Sequence, residues 1–273
     1  MDDSLFVERD GAFVPTELSR GPWSPSSLHG GPVAALLARR LTELPTANPM
    51  FPARLTVELL RPVALEPMAI ETSVVRPGRK VQVLEARLHR APDEPRGADT
   101  LVARATLQQI RDEPLPLPEG MVVAADPAPA VPEPDALGRA PSAFADEVAF
   151  HSRAVDMRSA SGGSAQSGPA TFWIRVTADL LPGSPLTPFE RVAAAADFGN
   201  GISSSLPFPD YLFVNPDLVV TLERLPTGEW VGLDATTWYG PHGTALAESL
   251  LFDTDGRIGR SVQTLFVDRA GRP

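Results

Sequence analysis

Apolar and polar residues alternate along much of this chain. In its first half, residues 54–60, 68–76, 80–90 and 100–110 have strand length and partial period-two patterning, as expected of half-buried β-strands. Ahead of them the pattern changes. Val33, Ala34, Ala35, Leu36, Leu37, Ala38 and Leu41 cover most of a helix circumference, and a helix apolar all round is a buried one. Pro32 suits its first turn, where a missing N–H costs nothing, and the helix is predicted to end near Pro45. A short hairpin comes first, with Phe6-Val7 and Ala12-Phe13-Val14 flanking the turn pair Asp10-Gly11. Pro77-Gly78 and residues 93–99 predict further turns.

The second half repeats this order. Residues 147–157 and 170–178 read as strands, separated by a Ser/Gly-rich loop over 159–168. Pro188-Phe189-Glu190 opens a helix running to Phe198. Strands are predicted over 215–225, 228–238, 244–254 and 259–268, with a tight turn at Asp253-Thr254-Asp255-Gly256. The halves also match in sequence. Leu55-Thr56-Val57-Glu58-Leu59-Leu60-Arg61 resembles Leu218-Val219-Val220-Thr221-Leu222-Glu223-Arg224, and 224 − 61 = 163. The same offset sets Glu85 against Glu248 in a separate strand pair, which points to a duplicated unit. Two copies can pack like subunits of an isologous dimer. Prolines at 114, 116, 118, 127, 129, 132, 134 and 141 mark a semi-rigid linker. The predicted organisation is an N-terminal repeat over 1–112, a linker over 113–141 and a C-terminal repeat over 142–273.

Composition narrows the function classes. At 43% hydrophobic and 21% charged, the chain can bury a sizeable core. Its net charge of −10 weighs against nucleic acid or an anionic membrane as partner. With no cysteine, disulfides and thiolate chemistry are excluded. The start, Met1-Asp2-Asp3-Ser4, is acidic and is followed by no long apolar run, so a soluble cytoplasmic protein is expected.

Several residues could carry chemistry. His29-Gly30-Gly31 stands at the first helix N-terminus, where unpaired N–H groups and partial positive charge could receive a carbonyl oxygen, or where glycine simply permits a tight turn. A lipase-type oxyanion loop is rejected, because no Gly-x-Ser-x-Gly elbow accompanies it. Asp197 follows four alanines on a buried helix, where a carboxylate needs hydrogen-bond donors. Gln263 lies on the last strand, where its amide could fix a water. Asn215-Pro216-Asp217 opens a strand and could equally be a turn starter. His29, His89, His151 and His242 have no metal-site spacing and read as surface or structural residues. Arg76, Arg79 and Lys80 form a basic turn that could grip a phosphate or merely be solvated.

Taken together, these residues resemble the acyl-CoA thioesterase II family, whose members have a double hotdog fold of the α+β class. The resemblance rests on the Gly30-Gly31 helix start, Leu60-Arg61-Pro62, the Ala195–Phe198 segment and the closing Ser261-Val262-Gln263, in that order along a duplicated chain. It implies two antiparallel sheets, each wrapped on a central helix, and hydrolysis of an acyl-CoA by an activated water without metal or cofactor. The family's aspartate and glutamine fall on Asp197 and Gln263. Its threonine or serine falls on Asn215, a departure that leaves no hydroxyl; Thr221 sits at the wrong offset. Asp197 would be the base, Gly30 and Gly31 would face the carbonyl, and Arg79 and Lys80 would meet the nucleotide. The acyl chain would lie between the repeats, and the chain would pair into a dimer of double hotdogs. The Asn215 departure motivates an alternative, an acyl-CoA-binding protein without turnover. A hydratase reading is disfavoured because no histidine lies near Asp197 in sequence.

Overall fold

The computed structural model describes residues 3–90, 100–121, 127–133, 148–163, 166–207 and 210–271. The turn predicted over 93–99 and residues 122–126 and 134–141 of the predicted linker lie outside them. The first half runs β1 (Phe6–Arg9), β2 (Ala12–Pro15), α1 (Gly30–Thr42), β3 (Met50–Leu59), β4 (Met68–Arg76), β5 (Val81–Arg90) and β6 (Leu101–Arg111). The second runs β7 (Val155–Gly163), β8 (Gln166–Val176), α2 (Pro188–Ala196), α3 (Gly199–Ser203), β9 (Tyr211–Val214), β10 (Asp217–Leu222), β11 (Val231–Tyr239), β12 (Thr244–Asp253) and β13 (Gly256–Arg269). The β1–β2 hairpin turns through Asp10 and Gly11, both at positive φ (50° and 78°), as a two-residue hairpin turn requires.

All these strands join one antiparallel sheet in the order β1-β2-β4-β5-β6-β3-β10-β13-β12-β11-β8-β7, with β9 added beside β13. The order is a mirror: β3 meets β10 at the centre, and each strand outward has its repeat equivalent at the same distance on the other side. The sequence offset survives folding, since β5 and β12 start 244 − 81 = 163 and end 253 − 90 = 163 residues apart. At the seam, Thr56 is the register partner of Val219, and 219 − 56 is again 163. A residue paired with its own equivalent marks where a local two-fold axis crosses the sheet. The architecture is a double hotdog, α+β, with the two halves fused edge to edge.

Both helices lie against one face of this sheet in a common core. Leu36, Leu37 and Leu41 of α1 pack with Leu55, Leu84 and Leu107 of the strands and with Val192 and Ala193 of α2, each at most 1% exposed. The alanine run of α2 serves close approach: a Cβ on Gly31 of α1 would lie 2.6 Å from the Ala194 carbonyl oxygen. Helix α2 starts with a capping box, in which Thr187 and Glu190 bond each other's backbone N–H. Helix α1 has His29 as its N-cap. The caps differ by 187 − 29 = 158, and subtracting 158 from Asp197 gives Arg39. The two-fold thus makes Arg39 the counterpart of Asp197. Arg39 donates to both carboxylate oxygens of Glu190 (2.5 and 2.7 Å) and to Ser184 Oγ (2.8 Å). The Glu190 side chain is fully buried, so this end of the helix pair is closed by an ion pair.

Three local readings need correction. Residues 150–154 form one wide helical turn before β7 rather than strand. The Ser/Gly stretch predicted as a loop is largely strand, ending β7 and opening β8. The strand predicted over 215–225 spans only Asp217–Leu222, because Pro216 offers no N–H to a ladder, and the unpredicted β9 precedes it.

Candidate functional site

At the end of α2, Asp197 adopts helical angles as the C-cap residue (φ −71°, ψ −13°), which turns its side chain into the seam with α1. The carboxylate is 5% exposed. Asn215, between β9 and β10, donates from Nδ2 to Asp197 Oδ1 at 2.8 Å. Gln263, on β13 and 2% exposed, donates from Nε2 to the same oxygen at 3.2 Å and to the Asp197 carbonyl at 3.2 Å. Folding brings together the three residues picked from sequence. The Gln263 amide orientation is fixed at its other end, where Oε1 accepts from Asn200 N at 3.1 Å. Helix α3 supplies that donor.

A fourth group is present that sequence reasoning set aside. His29 Nδ1 lies 2.9 Å from Asp197 Oδ2. It also lies 3.1 Å from Gly31 N, and the two contacts make opposite demands. Were Nδ1 to accept from Gly31, its lone pair would crowd a carboxylate oxygen. A proton on Nδ1 pointing at Oδ2 removes that conflict. The Gly31 N–H then falls to the same carboxylate, an interaction that helps lower its pKa. The ring sits between Phe150 (centroids 5.1 Å apart) and Phe198 (4.8 Å), while His29 N donates to Ser19 O at 2.9 Å. The two residues are 197 − 29 = 168 positions apart, so no local pattern announces the pair. The absence of a neighbouring histidine in sequence therefore carries no weight against acid–base chemistry at Asp197.

The electrostatics follow from this crowd of donors. Burial pushes the Asp197 carboxyl up, but His29, Asn215 and the Gly31 N–H together outweigh it, and the group titrates below its ordinary range. His151, in the wide turn beside Phe150, is pushed down to about 4, chiefly by burial and further by the nearby Arg20 guanidinium. Among the described residues, no group of three or more histidine or carboxylate side chains is placed to hold a metal ion.

The two glycines make room for protein atoms. A Cβ on Gly30 would lie 2.8 and 2.9 Å from the Asp197 carboxylate oxygens. That on Gly31 would strike the Ala194 carbonyl. The Arg79–Lys80 turn lies elsewhere. Lys80 O accepts from Arg111 N, and Arg111 pairs with Met50 at one end of β3. Gln263 lies level with the other part of β3, near Val57, seven residues (57 − 50) or about 23 Å along the strand. Phosphates held there would have to span that distance from a thioester at Asp197.

Comparison with known proteins agrees with this architecture. The profile described as acyl-CoA thioesterase C-terminal domain matches residues 122–267, and that described as acyl-CoA thioesterase N-terminal domain matches residues 19–108. The chain belongs to the acyl-CoA thioesterase family. Its members are thioester hydrolases, and both profiles fall on the repeats in chain order. Among solved structures, the chain is similar to the TesB protein of Mycobacterium avium subspecies paratuberculosis (17% identity, TM-score 0.66, covering 97% of this chain and 96% of that one). It is also similar to an acyl-CoA thioesterase II of Mycobacterium marinum (15% identity, TM-score 0.63, 94% and 98%). A third is a hot dog fold protein of Alicyclobacillus acidocaldarius (18%, 0.64, 100% and 98%). No curated protein matches the sequence. Among the described residues, no helix of this thioesterase-family chain is long and apolar enough to cross a membrane.

Proposed function

We propose that this chain hydrolyses acyl-CoA thioesters to the free acid and CoA, with the attacking water held at Asp197, Asn215 and Gln263. The observation that carries this is the convergence of two side-chain amides from distant strands on one oxygen of a buried carboxylate (2.8 and 3.2 Å). A buried, ionised carboxylate is costly unless fully satisfied, and here four donors keep it charged at the position that the resemblance to the family suggests for the catalytic aspartate. Asn215 takes the position of a hydroxyl residue and supplies an N–H in its place. The reaction needs no redox step: water adds to the thioester carbonyl and the C–S bond breaks.

One observation favours the alternative of acyl-CoA binding without turnover. The donors that hold Asp197 also occupy both of its oxygens, as in a purely structural anion. Release of free thiol from a panel of saturated and 2-enoyl acyl-CoAs, measured for the wild type and Asp197→Ala, separates the two. Thiol release abolished in Asp197→Ala supports hydrolysis. Calorimetric binding with no thiol release supports the binder, and loss of the enoyl absorbance without thiol release would indicate hydration instead.

A further inference from the structure

We infer that His29 is the general base of this site, a role that rests on the hydrolytic function proposed above. The geometry divides the work between the two ring nitrogens. Nδ1 is committed to Asp197 Oδ2 at 2.9 Å. Nε2 has no hydrogen bond among the described residues and is not a buried unpaired atom, so on a side chain 11% exposed it is the edge that meets solvent. Phe150 and Phe198 hold the ring from either side. A carboxylate that orients an imidazole through one nitrogen leaves the other free to take a proton, and it stabilises the imidazolium that results.

Asp197 is poorly placed to act as the base itself. Oδ1 already accepts from Asn215 and Gln263, and Oδ2 faces His29, so a water held beside this cluster finds the carboxylate lone pairs already engaged and Nε2 the freer acceptor for its proton. The same donors lower its basicity. The proton-accepting role expected of Asp197 from sequence thus moves to its partner, and Asp197 becomes the group that positions it. In the first step, a water oxygen forms a bond to the thioester carbonyl carbon and its proton passes to His29 Nε2. In the second, the tetrahedral adduct collapses, the C–S bond breaks, and Nε2–H returns the proton to the leaving sulfur. The products are the carboxylic acid, which ionises in solution, and the free thiol of CoA.

The decisive variant is His29→Asn. Its side-chain NH2 can reproduce the bond from Nδ1 to Asp197 while removing Nε2, so the cluster keeps its donor and loses only the base. We expect kcat to fall by about 10²- to 10⁴-fold with substrate Kd changed by less than about threefold. In His29→Ala, added imidazole should restore turnover in a saturable way. Both would be read beside Asp197→Asn and the melting temperature of each protein. Wild-type-like kcat in His29→Asn, with Asp197→Asn inactive, overturns the assignment while leaving the hydrolytic function standing. Absence of thiol release from the wild type on every acyl-CoA removes both. If His29→Asn fails to fold, imidazole rescue of His29→Ala decides alone, and a folded His29→Ala that is inactive and unresponsive to imidazole counts against the base.

Discussion

A methyl group added at Gly30 should silence the site without unfolding the protein. A Cβ there would stand 2.8 Å from Asp197 Oδ2, 2.9 Å from Oδ1 and 3.0 Å from the carboxyl carbon. Ordinary contact begins at 3.4 Å, so the carboxylate must retreat by 3.4 − 2.8 = 0.6 Å. It has nowhere free to go. Asn215 at 2.8 Å, Gln263 at 3.2 Å and His29 at 2.9 Å each fix its position, and a shift of that size breaks the alignment of at least one. Misplacing catalytic groups by about an ångström costs roughly 100-fold in rate, so Gly30→Ala should lower kcat by roughly 30- to 100-fold. Gly30 is the first residue of α1, where alanine recovers less than the about 0.5–1 kcal/mol of a mid-helix position, which offsets part of the weakened hydrogen bonds worth about 1 kcal/mol net. Stability should therefore stay near wild type. Gly31→Ala is the contrast: its Cβ meets the Ala194 backbone carbonyl at 2.6 Å and Phe150 at 3.0 Å. Here the helices themselves must part, at about 1–3 kcal/mol, and the melting temperature should drop by about 2–8 °C. Thiol release and thermal unfolding measured on both variants check the pair. A Gly30→Ala protein with wild-type kcat would refute the idea that the placement of this carboxylate governs turnover.

Other outcomes follow from the same geometry. Asn215→Ala removes one donor from Asp197 Oδ1 and should cost about 10- to 100-fold in kcat with an intact fold; Asn215→Thr, which restores a hydroxyl, should lose less, and equal losses in steady-state assays would count against Asn215 as a hydrogen-bonding group. Arg39→Met leaves Glu190 charged and fully buried, a loss of about 3–5 kcal/mol readable as a lower urea midpoint, and Arg39→Met with Glu190→Met should recover most of it. Stability should also fall with acid in two stages. His151, with an ordinary value of 6.5 and a folded value of about 4, favours the neutral ring, so the unfolded chain binds the extra proton and stability declines as pH drops from 6.5 to 4. The decline is at most about 3 kcal/mol, less for a partly exposed ring, and a melting curve that stays flat over this range would contradict it. Burial raises the Asp197 carboxyl but its donors outweigh it, and burial raises Asp253 but Arg224 and the N–H groups of Thr227 and Asp255 outweigh it, so both titrate below the ordinary range. Their stabilisation is complete above the unfolded carboxylate value of about 3.9 and is lost only below it, as pH falls through the folded values.

Much of the architecture was legible because it rests on repeating patterns. Period-two segments became strands, the all-round apolar run became α1, and the 163-residue offset became the axis through Thr56 and Val219. Asp197 stood out because a carboxylate after four alanines has no local partner. What stayed hidden was held by contacts rather than by patterning. The Gly199–Ser203 helix carries two glycines and no helix pattern of its own, yet Ser203 Oγ bonds Gly199 O and Thr237 Oγ1, and Asn200 N reaches Gln263. The Ser/Gly segment after Met157 became strand because a ladder uses backbone groups, which composition does not report. His29 looked structural because it sits at the helix N-cap position; its partner Asp197 comes from the opposite repeat.

The Arg39–Glu190 pair closes one end of the helix couple, so the chemistry proposed here has a single end to work at. Substrate stoichiometry should accordingly be a single equivalent for each polypeptide, although the polypeptide contains two copies of the same unit. Residues at the closed end are released from any duty toward a ligand, so that end can drift, be reinforced or be redesigned for toughness while turnover is left alone.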